Sequence, residues 1–392
     1  PGEASFYPWW TIMKYRPLKI SIHYILILAL ILVLGLSITI LLGEREANEY
    51  EEAQRNAAER MERIEAFIKE SITEKGISLE AKDLNGTGLI GPDFTPLTST
   101  MGEEGAKRSS LNPEFAALMV RYFHDAGLEK GDTVAIGSSG SFPGFLIATL
   151  AATEELGLNA KVIASLGSSM YGATRVEYNL FSILEDIERS GEAEFELLGV
   201  SCGGEGDRGG GAMEGFLYEG SAILSYEITK AEAERTGAYF IHEDSISQSI
   251  EVRKELYGAD VDIFVNIGGA SPNLGTGSYS LDFPPGLVMG GIRIPEGKER
   301  GLVFEYLEEG IPVVNLLSVK KICQENSIVF DPVPLPSSSS SSVYSTISYN
   351  KWIVAITLLL GALTVIAARR HRKSPTPSSS PIKEEKDRKE EP

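Results

Sequence analysis

The stretch "DTVAIGSSGSFPGFLIATLAATEELGLNAKVIASLG", residues 132–167, decides the fold. Its first six residues are a short apolar run that stops at Gly137, the mark of a buried strand. Residues 145–157 have a helical composition and a terminating Gly157. Residues 160–167, "AKVIASLG", return to strand chemistry. Strand, helix and strand form a βαβ unit, which builds parallel sheets with both faces covered.

Working outward, the alternation continues. "PEFAALMVRYFHDAG" (113–127) reads as a helix with Pro113 at its start and Gly127 at its end. "EFELLGVS" (194–201), "AYFIHED" (238–244), "VDIFVNIGG" (261–269) and "IPVVNLLS" (311–318) read as strands. "ISQSIEVRKELYG" (246–258) and "KERGLVFEYLEEG" (298–310) read as helices. The expected fold is α/β, a mainly parallel sheet with helices on both faces, Rossmann-like in plan and membrane-anchored. The α/β domain is expected over residues 77–330. Residues 331–350 read as a Pro/Ser linker, and residues 374–392 as a tail without an apolar run.

Two further runs carry no formal charge. Residues 20–42 would span roughly 34 Å as a helix, enough for a bilayer core of about 30 Å. Residues 352–368 form a second, shorter run. Lys14, Arg16 and Lys19 precede the first span, and "RRHRK" (369–373) follows the second. The positive-inside rule then puts residues 1–19 and 369–392 in the cytoplasm and the middle of the chain outside. No A-x-A site follows the first span, so it reads as an uncleaved anchor. Met13 opens "MKYRPLKI", a start suited to such an anchor, which leaves residues 1–12 as a candidate upstream extension.

Charge excludes one class of partner. The 392-residue chain has net charge −19, and residues 44–350 hold 24 Lys+Arg against 49 Asp+Glu, a net of −25. Such a domain has no basic face for a nucleic acid. The two cysteines, Cys202 and Cys323, can pair or stay apart but make no disulfide framework.

Residues 44–76 read as one charged helix with an apolar stripe at Tyr50, Ala57, Met61, Ile64, Ile68 and Ile72. It is expected as a stalk docked on the domain, with a coiled coil as the rival. "DLNGTGLIGPDF" (83–94) starts like a calcium loop but has Phe94 where the bidentate Glu belongs, so an Asx-type turn fits better.

Three glycine- and serine-rich segments end strands: 137–144, "SLGSSMYGA" (165–173) and "NIGGASPNLG" (266–275). In a parallel sheet they converge on one edge, where ligands bind. Backbone N–H groups and hydroxyls there suit an anion. The first loop lacks the P-loop lysine and the dinucleotide spacing. Gly137 and Gly140 are also three apart, one short of a nucleophile elbow. The candidate ligand-binding set is Gly137, Ser138, Ser139, Gly140, Ser141, Ser168, Ser169, Arg208 and Asn273. "CGGEGDRGGGA" (202–212) adds Asp207, a candidate cation ligand or base, and Arg208, a candidate carboxylate clamp, on what reads as a glycine flap or a solvated loop. His242 closes a strand; Asp244 or Ser245 would cap the next helix.

"NGTGLIGPDFTPLTST" (85–100), "AKRSSLNPEFAALMVRYFHDAG" (106–127), "GDTVAIGSSGSFPG" (131–144), "GGEGDRGGG" (203–211) and "NIGGASPNLG" (266–275) together resemble the poly-γ-glutamate system protein family. The likeness covers about residues 45–323. It implies a membrane-anchored protein of poly-γ-glutamate synthesis and export, a capsule or exopolymer process, with the polymer or the synthase and export subunits as partners. It carries no catalytic residue across. The Ser-rich linker, second span and charged tail depart from the family pattern.

Three functions follow as expectations. The first is an accessory that binds the polymer or a partner subunit at the loop-lined edge, its anion met by backbone N–H groups with Arg208, Lys107 or Arg108. The second is a γ-glutamyl hydrolase or transferase, with Ser139 or Ser141 as nucleophile and His242 or Asp207 as base. The third is a scaffold of the synthase. No cofactor is evident, no metal ligands are assigned, and a bridging divalent cation stays open.

Overall fold

The computed structural model describes residues 21–211, 217–297, 300–336 and 342–371. The expected cytoplasmic arm (1–19), the serines 337–341 and the tail from 372 onward lie outside the described residues. The chain divides into two units, residues 47–346 and a unit made of both ends.

The end unit holds helices α1 (Ile22–Leu41) and α12 (Lys351–Arg370), both long and apolar enough to cross a membrane. Their large apolar side chains are mostly exposed. They cross where small residues allow it. A Cβ on Gly35 would lie 2.2 Å from Thr357 Cγ2, so only glycine permits this approach.

The larger unit is built on seven strands: β1 (Thr133–Ser139), β2 (Asn159–Ser165), β3 (Glu196–Ser201), β4 (Tyr239–Ile241), β5 (Ile263–Ile267), β6 (Gly286–Val288) and β7 (Val313–Leu316). Their order is β6-β7-β5-β1-β2-β3-β4. All pairs are parallel except β6 with β7. β1, β5 and β7 are buried along their whole length, as strands covered on both faces must be. The sequence did not reveal β6, a three-residue antiparallel edge containing Gly286 and too short to show alternation.

The helices between are α2 (Glu51–Glu74), α3 (Glu104–Ser109), α4 (Glu114–Asp125), α5 (Pro143–Leu156), α6 (Leu180–Ser190), α7 (Ser221–Thr236), α8 (Ile246–Tyr257), α9 (Ser271–Leu274), α10 (Leu302–Glu308) and α11 (Val319–Asn326). One sheet face carries a core with Phe115, Phe145, Leu146 and Ile187; the other carries Ile250, Tyr257, Leu302 and Val303. α5 is apolar all round because it is covered on both sides, by the sheet and by α2.

That places α2 differently from a projecting stalk. Its stripe of Ala57, Met61, Ile64, Ile68 and Ile72 is fully buried, and the helix packs on α4, α5 and α6. Each buried isoleucine contributes about 1.5–3 kcal/mol, so α2 belongs to the domain core. It begins at Glu51 rather than near residue 44, since 44–47 are extended. The Pro/Ser linker is also partly folded. The Arg108 guanidinium grips Asp331 with two bonds of 2.7 Å. Val343 and Tyr344 are buried, with the Val343 carbonyl accepting from Asn48 and Gln54 at 2.9 and 3.0 Å.

The calcium-like segment is a backbone turn, closed by the Gly86 N–H on the Asp83 carbonyl at 2.9 Å, and the Asp83 carboxylate accepts from the Gly88 N–H at 2.6 Å and from the Thr87 hydroxyl at 3.1 Å.

Candidate functional site

The strand order reverses between β1 and β5: the chain runs from β1 outward to β4, then returns to β1's other side at β5. The carboxyl ends of these two strands form the crevice where open α/β sheets bind ligands. A cleft of about 910 Å³ opens there.

Six loops line it. Ser139 ends β1, and Ser141 and Phe142 follow it; Gly167 and Ser169 follow β2; Gly203, Gly204, Glu205 and Gly211 follow β3. Gly269, Ala270 and Ser271 follow β5, and Ser318, Lys320 and Lys321 follow β7. The sixth wall runs from Ser99 to Lys107. It is held by a short parallel pairing of Thr98 with Ser168 and Thr100 with Ser169.

Backbone geometry, more than free hydrogen-bond donors, sets the loops. The Gly140 N–H is used by the Ser165 and Gly167 carbonyls, both at 3.1 Å. The Ser168 hydroxyl is buried and bonds to the Gly140 carbonyl at 2.9 Å. The Ser138 hydroxyl donates to the Ser139 carbonyl at 3.3 Å. Gly137 makes room for Asn273, whose side-chain amide donates to the Gly137 carbonyl at 2.9 Å and to Asn266 at 3.0 Å. Gly137, Ser138, Gly140, Ser168 and Asn273 thus tie strand ends together behind the cleft. Ser139, Ser141 and Ser169 face it.

The glycine run 203–211 is not an open flap over its described length. Gly203 has φ +62°, and a Cβ there would meet the Gly167 nitrogen at 2.8 Å. Gly204 has φ +69° with the Gly210 carbonyl oxygen at 2.4 Å from such a Cβ. Backbones pack on backbones here, which only glycine allows.

Asp207 is drawn under this run and buried. Its carboxylate accepts from Ser249 at 2.7 Å and Ser201 at 2.8 Å, and pairs with Arg253 Nη1 at 2.9 Å. Arg253, itself 1% exposed, also donates to Ser201 at 2.9 Å. Asp207 is therefore committed to an ion pair and two hydroxyls, and it does not line the cleft. Arg208 points outward to Asp244 at 3.2 Å rather than clamping a cleft ligand. His242 stacks on Phe240 with ring centres 5.5 Å apart and meets Tyr226 edge-on at 5.0 Å. It is absent from the cleft lining and reaches neither Ser139 nor Ser141 by hydrogen bond. The structure thus does not assemble the expected serine–histidine or serine–aspartate pairs. Arg108 is held by Asp331, as described above.

Sequence reasoning named Lys107 only as one possible anion partner and missed its setting. Lys107 is 2% exposed and lines the cleft. Its ammonium sits 2.5 Å from Ser169 Oγ, contacts the Ser141 carbonyl, and lies 3.6 Å from the centre of the Phe142 ring. Burial alone brings its pKa down to about 7. Lys320 and Lys321 were also missed, although "NLLSVKK" (315–321) shows the same strand-end signal as the other loops. The cleft thus holds three lysines and two glutamates, in a domain of strongly acidic balance.

Cys202 and Cys323 are both free and buried. Burial pushes their thiols up to about 11 and about 12. Among the described residues no group of three or more His, Cys, Asp or Glu could hold a metal ion.

No protein-family model matches this chain, and no curated protein matches it either.

Proposed function

We propose that this chain is a membrane-anchored accessory of poly-γ-glutamate synthesis or export, whose α/β domain binds the polymer in the cleft at the carboxyl edge of the sheet. One observation carries the reading. All five sequence stretches that resemble the family contribute residues to this single cleft: Ser99 and Thr100; Lys107; Ser139, Ser141 and Phe142; Gly203, Gly204, Glu205 and Gly211; and Gly269, Ala270 and Ser271. Lys320 and Lys321 supply positive charge where the surrounding acidic domain otherwise repels a polycarboxylate.

The basic residues flanking both spans support cytoplasmic termini and an external domain, where an emerging polymer would meet the cleft. The test is a titration of the full chain in detergent micelles with poly-γ-glutamate at low and moderate salt. The expected result is saturable binding that weakens with salt and is several-fold weaker in a Lys320→Met/Lys321→Met variant. Binding unchanged by both substitutions would count against the cleft as the site.

A further inference from the structure

The cleft also holds a nucleophile in contact with a base, a pair to which neither the resemblance nor the polymer-binding reading assigns any bond-making chemistry. Ser169 Oγ and Lys107 Nζ are 2.5 Å apart, within the reach an activated serine needs. The serine is fixed from three sides. Its residue pairs in parallel with Thr100, its N–H donates to Ser141 Oγ at 3.0 Å, and its carbonyl accepts from the Gly172 N–H at 3.1 Å. The lysine is fixed by the Ser141 carbonyl and the Phe142 ring. Burial without a carboxylate partner is what turns a lysine into a base near neutral pH. The other serines of the cleft lack this contact. Ser139 Oγ reaches the Ile267 carbonyl at 3.4 Å, and Ser141 Oγ accepts from Ser169.

We infer that Ser169 and Lys107 are a nucleophile–base pair for acyl transfer from an ester or amide carbonyl bound in the cleft. Neutral Lys107 takes the Ser169 hydroxyl proton as Oγ bonds to the carbonyl carbon, and the carbonyl π pair moves onto its oxygen. When that tetrahedral adduct collapses, the bond to the leaving amine or alcohol breaks, and the leaving group takes the proton from the Lys107 ammonium. A water or an amine then attacks the Ser169 ester, again giving its proton to Lys107. Ser169 leaves with a proton returned from the ammonium. No oxidant or cofactor is consumed.

The test uses the full chain in micelles, a fluorophosphonate probe and p-nitrophenyl acetate, with labelled peptides located by mass spectrometry. The expected adduct is a single one on Ser169, absent in Ser169→Ala. The labelling rate should rise with pH about a midpoint near 7 and fall at least about 100-fold in Lys107→Met. The wild-type pH profile keeps the test decisive if Lys107→Met does not fold. A folded wild-type chain left unlabelled overturns the inference. So does an adduct on Ser139 or Ser141, or a rate flat between pH 5.5 and 8.5. Polymer binding can survive any of these outcomes, so the two readings fail separately.

Discussion

Replacing Arg253 with Met tests whether Asp207 is a structural carboxylate. In the native domain Asp207 accepts from two serine hydroxyls and pairs with Arg253 at 2.9 Å, with both side chains almost fully buried. Arg253→Met leaves a buried charge facing only two neutral donors. Breaking a buried pair from one side costs about 3–5 kcal/mol. That is a large share of the roughly 5–15 kcal/mol that holds a domain folded, and it shifts the folding equilibrium by roughly a hundred- to several-thousand-fold. Asp207→Asn/Arg253→Met removes both charges and should recover part of the loss, with a coupling of about 0.5–3 kcal/mol. The assay is urea unfolding followed by far-UV circular dichroism. Tryptophan fluorescence does not serve, because Trp9, Trp10 and Trp352 all lie outside residues 47–346. If Arg253→Met stays within about 0.5 kcal/mol of the wild type, or the double variant loses the full sum of the singles, the ion pair is not what holds the loop under the glycine run.

Two other predictions concern buried ionisable groups. Glu65 on α2 is held well above the usual carboxylate range, first by burial and then by Glu62 and Asp83. A raised folded value means its contribution to stability is fully present below about pH 4.3 and is lost as the pH climbs through the folded value. Glu65→Gln should therefore be more stable than the wild type at pH 7 and lose that advantage near pH 4; an advantage equal at both would refute the assignment. Cys202 and Cys323, buried and free, should resist dithiobis-nitrobenzoate at pH 8 in the folded chain and yield two thiols in denaturant. Finding fewer than two in denaturant without reductant would mean that they pair.

Much of the fold was legible because apolar runs and glycine stops mark buried parallel strands. Residues 133–139 and 159–165 lie within two residues of the strands expected at 132–137 and 160–167, the first continuing past Gly137 to Ser139. Ser245 also caps α8, accepting from the Gln248 N–H. α7 was not legible: its buried positions are Ser221, Ser225, Thr229, Glu232 and Ala233, so the inward face has no apolar stripe. α2 looked like a stalk because its outer face is heavily charged, and the sequence does not say what its apolar stripe meets. At the site, convergence of the strand-end loops could be read from topology alone. Which serines turn inward could not, because Ser138 and Ser139 alternate along one strand and the tight packing at Gly137 and Gly140 decides which hydroxyl stays open. The pairing of Lys107 with Ser169 joins positions 62 residues apart, and no local pattern signals it.

The most direct measurement is amide hydrogen exchange of the full chain in micelles, with and without saturating poly-γ-glutamate. Slowed exchange should appear together in residues 99–107, 139–142, 167–169, 203–211, 269–271 and 317–324, the walls of the cleft. Protection confined to the opposite edge of the sheet, around residues 157–161 and 194–196, or no protection at saturation, would contradict the cleft as the polymer's site.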